Sequence, residues 1–541
     1  MAFVANDYQQ FSLGDSFNNL SERSRKFVLN SCAKDFAEDV FPVINEERFS
    51  VLYSSNKAAR PNAPVNVIIG SLILKEILSL TDDELLGSAI CDIRFQYALH
   101  TSSFTEQPLS DRSFSRFRER CYLYEQEYGR DLVQEEVLSL ADAIAKLMKM
   151  NPSLKRMDSL MIASNCKKMT RLDVLYTCLA NMAEAVHKTG EDTLLSGMEH
   201  YLDEDDHNRV IYHNKSEETD SKIQQIINDS TELIDRMGEA YFELPEYQLL
   251  HRVLTEQSAG NGNGTRTAKD KKDIAPDSLQ NPSDPDATYR EKAGKDNKGY
   301  VGHVVETFDG KGNSVITGYG YEQNSHSDSA FCRETIASLA AEEGSRPQGV
   351  PTMLIADGAY GGTGNQKLAK ENNIDLKATS LVGRLPDEIH ADFTMSEDGR
   401  QVISCPAGNT PVRNTYNPVS GQCRAVMERN QCKGCPHRNQ CKARLQKKSA
   451  VVNVSVKMVQ RARQMAEMTT DEYVQLSRKR NGVESIPSVM RRKYDVDHIP
   501  VRGKQKSRLF FGFKVAALNF NKLRRYYRYQ QENYALKMLT A

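Results

Sequence analysis

The sequence predicts a mixed α/β body preceded by an all-α domain. Three observations predict it. Apolar residues recur at helical spacing from Val65 to Leu147. From Tyr300 to Leu381 a hairpin is followed by helix, strand, helix and strand, the pattern of a sheet with parallel strands. Pro152 breaks the chain between the two regimes. At 541 residues the chain exceeds one ordinary core. The expected division is a helical domain over residues 1–150 and an α/β domain over 151–541. The second is interrupted by a helical and flexible insertion over 165–297 and a small Cys-rich insertion over 390–450.

Residues 1–60 read as irregular or weakly helical. Val65, Ile68, Ile69, Leu72, Ile73, Ile77 and Leu80 then make one apolar helical face. Thr81-Asp-Asp-Glu84 is a capping box that starts the next helix. Ser110 or Asp111 caps a helix bearing Arg112, Arg116, Arg118 and Arg120. A short helix, a turn and an Arg-bearing helix are what a helix-turn-helix reader needs, so Arg112 and Arg116 are expected at DNA. A helix over 130–149 follows. Leu154 to Ala163 reads as a short strand carrying Asp158.

Residues 165–250 return to helical periodicity and are acidic. Gly260-Asn-Gly-Asn-Gly264 and Pro276, Pro282 and Pro285 mark 258–297 as a long, partly disordered loop. Tyr300–Phe308 and Val315–Tyr321 flank a Gly-containing turn and predict a hairpin. A helix is expected over 328–343. The run Thr352-Met-Leu-Ile-Ala356 reads as a buried strand ending at Asp357, followed by a helix over 365–372 and a strand over 374–381. Two helices, 456–468 and 471–493, come next. The second carries Glu484, and Pro487 is expected to kink or restart it.

The composition is that of an ordinary globular chain, 39% apolar and 26% charged. No run of about 18 apolar residues marks a membrane span. The first residues lack a basic region followed by an apolar one, so the expected location is the cytosol. The net charge of −1 hides an asymmetry. Asp and Glu crowd residues 191–246, whereas 501–530 hold nine basic residues and no acid. Phe510, Phe511, Phe513, Tyr526 and Tyr527 interleave those cations, a mix that suits a polyanion. Lys504, Lys506 and Arg508 are therefore expected at DNA.

The chemistry is expected at three carboxylates. Asp357 sits where an apolar strand gives way to a Gly-rich turn, and sites in α/β sheets form at the carboxyl ends of strands. Asp158 lies on the earlier strand. Glu484 is a lone acid among Arg478, Lys479, Arg480, Arg491 and Arg492. A carboxylate for a cation beside guanidiniums for phosphates is the mix a phosphodiester site needs. Two Asp on strands of one sheet and a Glu on a later helix could together bind two divalent ions about 4 Å apart. Oxygen donors suit Mg²⁺ or Mn²⁺.

Eleven cysteines occur, five of them between Cys405 and Cys441. Cys432-Lys-Gly-Cys435 has zinc-knuckle spacing. Cys441 and either Cys405 or Cys423 could complete a closed structural zinc site. An iron–sulfur cluster, free thiols and a disulfide stay open, and His437 is an alternative ligand.

These residues resemble the DDE transposases of bacterial insertion sequences. The resemblance rests on the helical region from Pro64 to Arg120, the Asp158 strand and Gly299-Tyr-Val-Gly-His303. It also takes in Ala356-Asp357-Gly-Ala-Tyr360, the cysteine insertion and the Glu484 helix. One large group of that family carries Tyr, two residues, Arg, three residues, Glu, six residues, Lys. The corresponding positions here are Ser477, Arg480, Glu484 and Arg491, so Arg and Glu match, Arg replaces Lys, and Tyr is absent. The resemblance implies a ribonuclease H-like catalytic core with Asp158, Asp357 and Glu484 as ligands of Mg²⁺ or Mn²⁺, two ions per site. It places Arg480 and Arg491 near the DNA backbone, and Tyr360 in a structural or DNA-facing role. It implies binding to terminal inverted repeats and target DNA, strand cleavage and strand transfer, and a homodimer or larger synaptic assembly in the bacterial nucleoid. A metal-dependent nuclease without strand transfer and a non-catalytic DNA-binding relic are the alternative readings.

Overall fold

Asp158 lies on the central strand of a six-stranded sheet in the computed structural model, which describes residues 1–6, 15–56, 58–104, 106–292, 294–341 and 350–540. The strands are β1 (Leu154–Ala163), β2 (Thr288–Lys292), β3 (Lys295–Phe308), β4 (Ser314–Gln323), β5 (Thr352–Ala356) and β6 (Ile374–Ala378). Across the sheet the order is β4-β3-β1-β5-β6, with β2 paired to the start of β3. β3 runs antiparallel to β1, β2 and β4, whereas β1, β5 and β6 are mutually parallel. The expected hairpin and both parallel strands are therefore present. After Thr352, β5 is apolar, as expected of a parallel strand covered on both faces. The expected helix from Asp328 extends to Ala341, and residues 342 and 343 lie outside the described residues.

Among the described residues the helical region contains seven α-helices between Glu22 and Leu147, two of them (Glu22–Leu29 and Cys32–Asp39) in the stretch read as irregular or weakly helical. Their apolar periodicity is short, but Phe36, Phe41 and Phe49 are all fully buried. The Thr81–Glu84 capping box is present. The helix Val65–Leu78 is buried on every side, Asn66, Ser71, Lys75 and Glu76 included, so its single apolar stripe understates its setting.

The last helix, Lys504–Thr540, covers the other side. It packs on Val65–Leu78, on the helix Leu132–Leu147 and on β4. Phe511, Val515, Ala517, Phe520 and Leu523 are fully buried. This corrects the reading of residues 501–530 as an exposed basic tail for part of the segment, while Arg502, Lys506, Arg525 and Arg528 stay exposed. Several of its cations meet carboxylates distant in sequence: Lys514 pairs with Glu76 at 2.7 Å, Arg524 with Asp35 at 3.0 Å, and Lys522 with Glu306. Asn519 exchanges two hydrogen bonds of 2.8 Å with the backbone of Ile316 and so mates with β4 as a strand residue would. One apolar core consequently runs from the N-terminal helices through this helix to the sheet.

The insertion after β1 has its own core, centred on Leu175, Leu179, Met182, Ile227, Leu233 and Leu250. The segment expected as a loose loop over 258–297 is built in. Its Gly-Asn repeat is the turn of a small hairpin, Ser258–Gly260 with Arg266–Ala268. Further on, Asp284 is fully buried and accepts the Tyr300 hydroxyl at 2.6 Å. The Cys-rich insertion is a four-stranded antiparallel sheet with its own core. Among the described residues no helix is long and apolar enough to cross a membrane.

Candidate functional site

The parallel register between β1 and β5 puts the two aspartates at the same level. Arg156 lies opposite Ile355, and continuing by two residues sets Asp158 opposite Asp357. Neighbouring strands lie about 4.8 Å apart, so the Asp158 carboxylate, in the middle of β1, lies level with that of Asp357, just past the end of β5. Asp357 is fixed by the Gly358 amide at 2.6 Å and the Ser380 hydroxyl at 3.0 Å. Gly358 is what allows this approach, because a Cβ there would sit 2.5 Å from the Ser380 carbonyl oxygen.

Glu484 reaches the pair through Arg480. The Arg480 guanidinium is 3.5 Å from Asp158 and also bonded to Glu484, and its side chain is only 11% exposed. Both residues come from a broken helix. The helix Asp471–Arg480 ends in a 3₁₀ turn, Asn481–Glu484, and a new helix covers Ser485–Tyr494. The break therefore precedes Pro487, whose ring excludes the carbonyl four residues back, that of Val483. Tyr473 anchors the first helix by donating its hydroxyl to the Ala378 carbonyl at the end of β6.

Burial pushes the Asp158 carboxyl above the ordinary 3.8. Arg480, the Ser159 amide and Lys292 pull it back without cancelling that push, and Asp357 adds to it. A raised carboxyl stabilises the fold below its unfolded-state value and loses that contribution as pH rises through the folded one. A bound cation offsets the loss and needs the ionised form. The rise in Tm on adding Mn²⁺ is therefore expected to be full at neutral pH and to shrink as pH falls through the raised value. Thermal unfolding with and without Mn²⁺ across a pH series checks this, and a shift that stays constant down to the ordinary carboxylate range contradicts it.

Three carboxylates against the cations of Arg480 and nearby Lys292 leave an excess of negative charge. An all-oxygen donor set with that excess fits a hard divalent ion. Among the described residues, however, no group of three or more His, Cys, Asp or Glu is arranged to hold a metal ion. Behind the pair, His303 stacks on Phe331, bonds Thr335 at 3.1 Å, and is held neutral, with burial pushing it down to about 4. Tyr360 is 1% exposed, which makes it structural rather than DNA-facing.

The cations expected at DNA divide into two sets. Arg112, Arg116 and Lys506 are exposed and make no ion pair among the described residues. Lys506 lies over the Tyr122 ring. The others are engaged internally. Arg480 holds the acids, and Arg491 pairs with Asp497 at 3.0 Å and bonds the Met161 carbonyl at 2.6 Å. Lys504 pairs with Glu322 at 3.0 Å, and Arg508 with Glu125 and Asp131. The helix before Ser113–Tyr128 ends at Ala98, so the connection is far longer than the turn of a helix-turn-helix. The residues that sequence reasoning missed are Arg156, Ser380, Lys292 and Tyr473. A basic Lys155-Arg156 pair inside a buried strand was the available signal for the first.

Cys405, Cys432, Cys435 and Cys441 line one cavity of about 20 Å³ together with His437. Burial raises the Cys432 thiol, and the other three thiols add to the effect. Cys423 lies outside this cavity, its thiol 3.3 Å from the Asn414 side-chain oxygen. All eleven cysteines are free thiols.

Two family models match the chain. One, described as a transposase DDE domain, matches residues 404–524, which hold the thiol cavity, Glu484 and the first half of the last helix. The other, described as a transposase domain (DUF772), matches residues 28–120 in the helical region. Asp158 and Asp357 lie outside both matches. No curated protein and no solved structure matches the chain. The two matches, one in each half of the chain, support a DDE-type transposase of insertion-sequence type.

Proposed function

We propose that the chain is a DNA transposase that cuts and joins strands at the Asp158–Asp357–Glu484 site. The observation that carries this reading is the pairing of Asp158 and Asp357 at one level of adjacent parallel strands, with Glu484 tied to them by Arg480. Three antiparallel strands followed by two parallel ones, in the order β4-β3-β1-β5-β6, support a ribonuclease H-like core. Asp158, Asp357 and Glu484 would hold Mg²⁺ or Mn²⁺, which supplies charge neutralisation at a phosphodiester and a water or 3′-hydroxyl of lowered pKa. Arg480 orients two of the acids, and the buried His303, bonded to Thr335 and stacked on Phe331, packs behind β1. Double-stranded DNA, as element ends and target, is bound by the unpaired cations Arg112, Arg116 and Lys506, and two copies act together on two ends.

The test is incubation with Mg²⁺ and a duplex carrying the element's terminal repeat. Nicked ends and joined products are expected. Nicks without joined products would instead identify a nuclease, and neither product would leave a DNA-binding relic.

Cys405, Cys432, Cys435 and Cys441 are the residues that would hold a structural zinc in the Cys-rich module, although among the described residues no such group is arranged to hold a metal ion. Metal analysis of the purified protein is expected to find about one zinc per chain. Zinc is lost in Cys432→Ser and retained in Cys423→Ser. A metal-free wild type, or equal loss in both variants, refutes it.

A further inference from the structure

Arg156 stands two residues before Asp158 on β1, so both side chains leave the same face of the strand. Across the antiparallel register it faces Glu306, which is 1% exposed and bonded to the Arg156 Nε at 2.5 Å. Glu306 also receives Lys522 from the last helix. Burial alone would raise the Glu306 carboxyl, but these two cations outweigh it and hold the group below its ordinary value. Phe308 lies under the guanidinium, 4.6 Å from its carbon.

The free arm of that guanidinium points away from the sheet. Its Nη1 donates to the carbonyl of Lys479, the next-to-last residue of the helix Asp471–Arg480. The final carbonyls of a helix lack partners within it, and the negative end of the helix dipole favours a cation there. Gly482 makes room, because a Cβ at that position would lie 2.6 Å from the Arg156 guanidinium carbon. Arg480 and Glu484 lie one and five residues beyond Lys479.

We propose that Arg156 is a positioning residue, which clamps the end of this helix and fixes the turn that presents Glu484 to the aspartates. The proposal rests on the reading of Glu484 as the third carboxylate of the site. Its requirement is an arginine with two arms, one for Glu306 and one for the Lys479 carbonyl. Lysine is a point charge that can satisfy Glu306 but not both. Removing Arg156 leaves Glu306 still paired with Lys522, so the sheet keeps its buried charge balance.

The test compares wild type, Arg156→Lys, Arg156→Gln and Gly482→Ala by hydrogen–deuterium exchange read by mass spectrometry. Peptides covering residues 479–486 are expected to exchange at least tenfold faster in all three variants, with β1 and β3 peptides unchanged. Calorimetric titration with Mn²⁺ is expected to show at least tenfold weaker binding in the same variants. Wild-type exchange at 479–486 in both Arg156→Lys and Gly482→Ala overturns the proposal. If Arg156→Gln fails to fold, these two decide alone. A wild type that binds no Mn²⁺ refutes the metal reading of the site, while the exchange rates still decide the clamp.

Discussion

Asp357→Asn is expected to abolish strand cleavage, lowering the rate by at least about 10³-fold, the scale seen when one group aimed at transition-state charge is removed. The substitution is nearly isosteric. The Gly358 amide and the Ser380 hydroxyl can still meet the side-chain oxygen, so the local turn persists. What changes is the charge: one of the two level carboxylates is lost, and with it a donor to any divalent ion. Asp158→Asn is expected to be as inactive but to behave differently in stability, because it removes a group whose burial is unfavourable while freeing Arg480 from one of its two partners. Cleavage of labelled duplex in Mg²⁺, with Tm measured alongside, reads both effects. Cleavage by Asp357→Asn within about tenfold of wild type would remove Asp357 from the chemistry, since that falls well short of the loss expected for a transition-state group.

Phe511→Ala is expected to produce the largest loss of stability, about 3–5 kcal/mol, the usual range for a fully buried phenylalanine. Phe511 is completely buried between Tyr319 and Tyr321 of β4, with ring centroids at 5.8 and 5.5 Å. A Cβ on Gly302 of β3 would lie 2.9 Å from its ring, so the sheet has little room to collapse into the cavity left behind. The residue belongs to the core that joins helices and sheet, so the loss is expected in one cooperative transition. Denaturant unfolding followed by far-ultraviolet circular dichroism and by tyrosine fluorescence checks this. Two separated transitions, or a loss below about 1 kcal/mol, would show that the last helix is not part of the shared core.

The sheet was legible because its signals are local. A short apolar run, a hairpin with a Gly turn, an acid within one strand and an acid just after another sit within short windows, and the pairing of Asp158 with Asp357 follows once β1 and β5 are neighbours. The tail was misread because its partners are not local. Lys514, Lys522 and Arg524 meet Glu76, Glu306 and Asp35, hundreds of residues away, and net composition cannot show that a cation is already paired. A local clue did exist: the run from Leu509 to Phe520 is apolar except for Lys514 and Asn519, which is closer to the signature of a buried helix than of a solvated one. Residues 258–297 were misread for a related reason. Gly and Asn mark tight turns as well as loose chain, and bonds to residues outside the segment, such as those of Asp284 with Tyr300 and of Asn281 with the Lys167 carbonyl, separate the two. The Glu484 turn was legible as an acid among bases, but its geometry was not, because it depends on Arg156, more than three hundred residues earlier.

The position of the last helix has a consequence for synthesis. Phe36 meets Phe520 at 5.3 Å, and Phe520 leaves the ribosome long after Phe36. Until residues 509–520 emerge, the helices of residues 28–140 carry an uncovered apolar face, the kind of surface that recruits chaperones or aggregates. Expressed alone, residues 1–150 are therefore expected to be a poor reagent for mapping DNA contacts. Supplying residues 504–533 in trans, or fusing them through a flexible linker, gives that fragment the surface it otherwise waits for.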